Sequence, residues 1–111
     1  MPNLRRGPVN NWTDAAGHGA VLAIDPNTGE PKWRFMMYDV TDTGIVTTAS
    51  DLLFTGGREG YLQALDARTG TLLWKQNLGA QMLNNPITYA VNGKQYVAAM
   101  GGLTLFVFAL P

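Results

Sequence analysis

The chain has 111 residues, 46% apolar and 14% charged, with eight acidic against eight basic side chains, thirteen glycines and no cysteine. A chain of that length supports one modest core, and its apolar fraction and zero formal charge exclude a disordered, highly charged protein. The same composition excludes the basic stripe that nucleic-acid binding needs and any cysteine-based disulfide or zinc framework, and the longest apolar run, Leu103 to Leu110, is too short for a membrane-spanning helix of roughly 18 residues.

In chain order, residues 1–17 form a polar N-terminal segment with no apolar signal-peptide core. His18 follows; with no second histidine and no cysteine it reads as a loop or strand-start residue rather than a metal ligand or general base. Residues 23–33 then read AIDPNTGEPKW, and residues 64–74 read ALDARTGTLLW. Both fit A-x-D-x-x-T-G-x-x-x-W at a constant offset of 41, pairing Ala23 with Ala64, Asp25 with Asp66, Thr28 with Thr69, Gly29 with Gly70 and Trp33 with Trp74. In each copy the aspartate ends a strand, where its carboxylate can accept backbone N–H groups two or three residues on. The glycine can take the left-handed conformation of a tight turn. The tryptophan starts the next strand, where its ring can wedge between neighbouring sheets and its N–H needs an acceptor when buried. The motif is therefore read as structural.

Between and beyond the two copies, short β-rich runs alternate with turn residues. Strands are predicted at Gly44 to Thr48, Leu52 to Thr55, Tyr61 to Leu65, Thr71 to Gln76, Ile87 to Val91, Lys94 to Ala99 and Leu105 to Leu110. Asn92-Gly93 is the preferred pair for a type I′ hairpin turn. No helix has a convincing period and caps. Tyr96 to Leu110 reads as a third, cut-off copy with Ala109 on Ala64, four residues longer than the first spacing, the extra residues being assigned to the Asn92-Gly93 hairpin. Four short strands per 40 to 45 residues mark a β-propeller blade, so the fold class is all-β, about two and a half four-stranded antiparallel blades.

Other candidates give way to blander readings. Asp25 to Gly29 begins like a calcium loop, but Met36 stands at the twelfth position where glutamate is required. Asp39, Asp42 and Asp51 read as solvated turn residues, and Gly56 to Gly60 lacks the following helix of a phosphate loop. Met36 and Met37 are assigned to an irregular part of the core.

The repeat resembles the tryptophan-docking motif of quinoprotein β-propellers, which bind pyrroloquinoline quinone (PQQ). The segment GIVTTASDLLFTGGREGY (residues 44–61), PITYAVNGKQYVA (residues 86–98) and the ending LFVFAL (residues 105–110) are similar to the C-terminal blades of quinoprotein alcohol dehydrogenases. Residues 18–111 are accordingly assigned to propeller blades. The resemblance implies a periplasmic, eight-bladed parent enzyme that oxidises alcohols by hydride transfer to PQQ, aided by a calcium or lanthanide ion, with electrons leaving to cytochrome c. The family's catalytic aspartate, metal ligands and vicinal disulfide have no matching positions here, so this chain is expected to carry no catalytic or metal-binding residue and, alone, to hold no cofactor. As cofactor contacts the resemblance points to Thr43 and Gly44, through their backbone, and to the loop at Gly101 and Gly102. Both loops have the alternative reading of ordinary blade turns. The remaining blades of a parent chain are the expected partner, and open sheet edges make self-association possible. Two further readings stay open: a non-enzymatic scaffold such as the outer-membrane barrel-assembly lipoprotein, which uses the same repeats, and a small β protein assembling copies into a ring.

Overall fold

The computed structural model describes residues 19–39 and 43–111. The polar segment 1–17, His18, Thr41 and Asp42 lie outside the described residues. Nine strands follow in order: β1 (Gly19–Ile24), β2 (Pro31–Met37), β3 (Val46–Thr47), β4 (Leu52–Gly56), β5 (Tyr61–Asp66), β6 (Leu72–Asn77), β7 (Ile87–Val91), β8 (Lys94–Gly101) and β9 (Thr104–Ala109). They form three antiparallel meanders: a first sheet β1-β2, a second β3-β4-β5-β6 and a third β7-β8-β9. The second is a complete four-stranded blade. Among the described residues the first shows a blade's two outer strands, and the third shows the inner three.

Strand alternation places the cores. On β4 and β5, Leu53 pairs with Leu65 and Phe54 with Ala64, so consecutive residues point to opposite faces. Leu53 and Leu65 pack with Val21 and Met37 of the first sheet. Phe54, Leu62 and Ala64 pack on the other side with Val97 and Ala99 of the third, and with Leu78 and Met82 of the connecting segment. Because both faces of this sheet are covered, β4 and β5 read as near-continuous apolar runs. The same alternation corrects the methionine assignment: Met37 is buried, whereas its neighbour Met36 points the other way and is 55% exposed.

Turn chemistry follows the residues. Asn92 and Gly93 have φ of 52° and 80°, the double positive φ of a type I′ turn. The cut-off third copy differs in detail. Placing Ala109 on Ala64 pairs it with Tyr96 where Ala64 has Phe54, an offset of 42 in the preceding strand. Three of the four additional residues therefore lengthen the β8-β9 hairpin, whose ladder runs on to Gly101 opposite Thr104, and the tight Asn92-Gly93 turn holds none of them.

Candidate functional site

The two docking turns are built alike. Asn27 N–H donates to Asp25 Oδ1 and Arg68 N–H to Asp66 Oδ1, each at 2.9 Å. Gly29 N–H donates to the Asp25 carbonyl at 2.7 Å and Gly70 N–H to the Asp66 carbonyl at 2.8 Å. Thr28 Oγ1 and Thr69 Oγ1 each accept the N–H two residues on. The glycines sit at φ of 75° and 76°, and a register shift follows Ala23 and Ala64 alike, opposite Trp33 and Trp74. Aspartate, threonine and glycine thus close one backbone turn twice.

The tryptophans have different surroundings. Trp33 Nε1 donates to the carbonyl of Ala67 at 3.0 Å, across from the first sheet to the second. Its ring covers Gly70 so closely that a Cβ there would lie 2.5 Å from Cε3. Sheet one is thereby latched to the turn of sheet two. Trp74 stands edge-on to Phe108, centroids 5.3 Å apart, beside an apolar cleft of about 500 Å³ lined by Phe54, Leu73, Val97 and Leu110 among others. Trp74 is 37% exposed and no acceptor for its Nε1 is found among the described residues, so only Trp33 meets the condition of burial under which an acceptor is needed.

Electrostatics at the second turn centre on Arg68, which grips Asp66 through Nε at 3.2 Å and Nη2 at 3.1 Å. Its side-chain hydrogen bond, joined by the Arg68 backbone N–H, holds the Asp66 carboxyl below its ordinary value. Arg68 is exposed and Asp66 half-buried, and the pair orders the turn.

The proposed cofactor loops gather at the opposite end of the sheets, where β4 and β8 finish and β5 and β9 begin. The segment from Leu78 to Pro86 crosses this end as a strap. Leu78 N–H donates to the Gly60 carbonyl at 2.7 Å, Met82 N–H to the Gly57 carbonyl at 3.1 Å, and Gly102 N–H to the Gln81 carbonyl at 2.8 Å. A Cβ on Gly101 would lie 2.7 Å from Leu78 Cβ, one on Gly102 3.0 Å from Ala80 Cβ, and one on Gly44 would overlap the Asn85 amide. Packing at Gly44 and Gly101, and packing together with a φ of 60° at Gly102, therefore explain glycine at these three positions. Thr43 Oγ1 donates to the Gly56 carbonyl at 2.8 Å and accepts Gly56 N–H at 3.3 Å. Sequence reasoning missed the strap and the buried Met82; Gly79 and Pro86 were its only markers. Among the described residues no three His, Cys, Asp or Glu side chains gather as a metal site.

Stacked antiparallel meanders, with a tryptophan of one latched to the glycine turn of the next, define the blades of a β-propeller. Residues 37–97, over half the chain, match the family described as glucose/ethanol/alcohol dehydrogenase, beta-propeller domain, and the chain belongs to that PQQ family. It is 40% identical over 84 residues to the quinoprotein alcohol dehydrogenase PedH of Pseudomonas putida, covering 76% of this chain and 14% of that protein. It is 38% identical over 101 residues to methanol dehydrogenase [cytochrome c] subunit 1 of Methylorubrum extorquens, covering 91% of this chain and 16% of that one. The crystal structure of quinohemoprotein alcohol dehydrogenase from Comamonas testosteroni superposes with a TM-score of 0.72 at 34% identity, over 77% of this chain and 13% of that chain. BamB from Moraxella catarrhalis superposes with a TM-score of 0.57 at 24% identity, over 83% of this chain and 30% of that one, a likeness of fold alone. The chain thus spans about a seventh of the curated relatives it matches.

Proposed function

We propose that residues 18–111 are blades from the C-terminal part of a PQQ-dependent alcohol dehydrogenase, contributing one wall of the quinone cavity and none of the reacting groups. The observation that carries this reading is the Trp33 latch onto Ala67 and Gly70 within a chain of the PQQ family. When bound, the quinone would accept hydride from the alcohol, polarised by a calcium or lanthanide ion whose ligands come from other blades. Thr43 and Gly44 would meet it through their backbone at the start of the inner strand β3. Gly101 and Gly102 would shape the neighbouring rim, the Gly102 N–H already being committed to Gln81. These residues suit backbone contact, not a polar cage. The remaining blades are the partner of this chain, cytochrome c the electron acceptor of the whole enzyme, and the periplasm its compartment.

The test is an alcohol-dependent dye-reduction assay on the purified chain with PQQ and calcium. Negligible turnover is expected, and robust turnover refutes the assignment of the reacting groups to other blades. The scaffold reading shares the docking repeat but gives Thr43 and Gly44 no ligand.

A further inference from the structure

We propose that Thr55 is the positioning residue that holds the Thr43–Gly44 loop in the conformation it presents at the cofactor end, an inference resting on the reading of that loop given above. Thr55 lies on β4, one residue from its end, is 1% exposed, and stands opposite the buried Gln63 of β5. A buried hydroxyl must be satisfied, and this one donates to the Gly44 carbonyl at 3.2 Å. It also lies 3.4 Å from the hydroxyl of Thr43, which bonds both the carbonyl and the N–H of Gly56. The two hydroxyls therefore tie the loop to the end of β4 on both sides of the Thr43–Gly44 peptide. From the outside the Asn85 amide sits where a Gly44 side chain would go, so the loop is fixed from inside by hydrogen bonds and from outside by contact. β3 itself has only two residues and cannot order the loop by its own ladder. A valine at position 55 would fill the same space and suit the strand equally well; only the hydroxyl reaches the loop.

The experiment compares amide hydrogen exchange at Gly56 in the purified chain, in T55V, T55S and T43V. T55V and T43V are expected to lower protection of the Gly56 amide by roughly fivefold to tenfold, the equivalent of one lost hydrogen bond, while T55S keeps it. Unchanged protection in T55V overturns the proposal, and so does equal loss in T55S, which would mean that packing rather than the hydroxyl holds the loop. Should T55V fail to fold, T55A takes its place, with T55S again separating the hydroxyl from packing. PQQ titrated into wild type, with tryptophan fluorescence as the readout, addresses the cofactor reading separately. Quenching that weakens in T55V and returns in T55S supports both; quenching equal in all variants overturns the positioning role. Absence of quenching in wild type agrees with the expectation that these blades alone hold no cofactor, and the role of Thr55 is then decided by the exchange result alone.

Discussion

Gly29→Ala and Gly70→Ala are the same chemical change at the same φ, and only one of them touches a latch. Both glycines are left-handed, at 75° and 76°, so an alanine at either costs about 1 kcal/mol of backbone strain. At Gly29 the new methyl meets nothing within 4 Å. At Gly70 it runs into the Trp33 ring, 2.5 Å from Cε3 and 2.6 Å from Cδ2. The ring must swing away, losing the 3.0 Å bond to the Ala67 carbonyl, worth about 1 kcal/mol, and part of its contact with the turn, worth about 1–2 kcal/mol more. Gly70→Ala should thus destabilise by about 3–4 kcal/mol against about 1 kcal/mol for Gly29→Ala. Urea unfolding followed by circular dichroism measures both, with unchanged m-values showing that the unfolding unit is the same. In a Trp33→Ala background the two glycine changes should become equal. If they already agree within about 0.5 kcal/mol in the wild-type background, the latch contributes nothing and the reasoning fails.

The tryptophans make a second matched pair. Trp33→Phe keeps a ring and removes the Nε1 donor, leaving the Ala67 carbonyl unpaired at a cost of about 1 kcal/mol, whereas Trp74→Phe should be close to neutral; equal losses in urea unfolding would contradict the assignment. For pH, the Asp66 carboxyl is held below its ordinary value by the hydrogen bonds from Arg68. A depressed folded value gives stability that is fully present above the ordinary carboxylate value and disappears as pH falls through the folded one. Arg68→Gln should therefore lower Tm slightly at neutral pH, with the gap to wild type closing in acid; a gap independent of pH would show that the pair does not stabilise the turn. At the free edge, β9 carries no charge, with Leu105 and Val107 exposed. Such an edge invites pairing, so Val107→Lys should reduce any concentration-dependent association seen by light scattering, and association unaffected by it must use another surface.

How much the sequence discloses depends on whether a residue's partner is near it in the chain. The docking turns are legible because Asp25, Thr28 and Gly29 act on one another within five positions, and any sequence able to close that turn shows those residue types. Asn92-Gly93 is legible for the same reason. Which tryptophan finds an acceptor is not: Trp33 and Trp74 occupy equivalent positions, and only the three-dimensional neighbour distinguishes them. Met36 and Met37 read as one unit, although strand alternation sends them to opposite faces. At the strap end the glycines stand out, but the atoms that require them, Asn85 for Gly44 and Leu78 for Gly101, belong to a segment with no periodicity to read. Thr55 has the sequence context of an ordinary strand residue, and only the folded chain brings its hydroxyl to the Gly44 carbonyl.

The Trp33 latch and the strap sit at opposite ends of the second sheet, and this separation lets each rim answer to a different demand. The turn after β8 needs only Gly102 and Leu103, whereas the one after β4 runs from Gly57 to Gly60. Insertions, deletions and new side chains can accumulate on the rim that carries the strap while the far rim keeps neighbouring sheets in register. A scaffold arranged like this can change what it recognises without renegotiating how it stands.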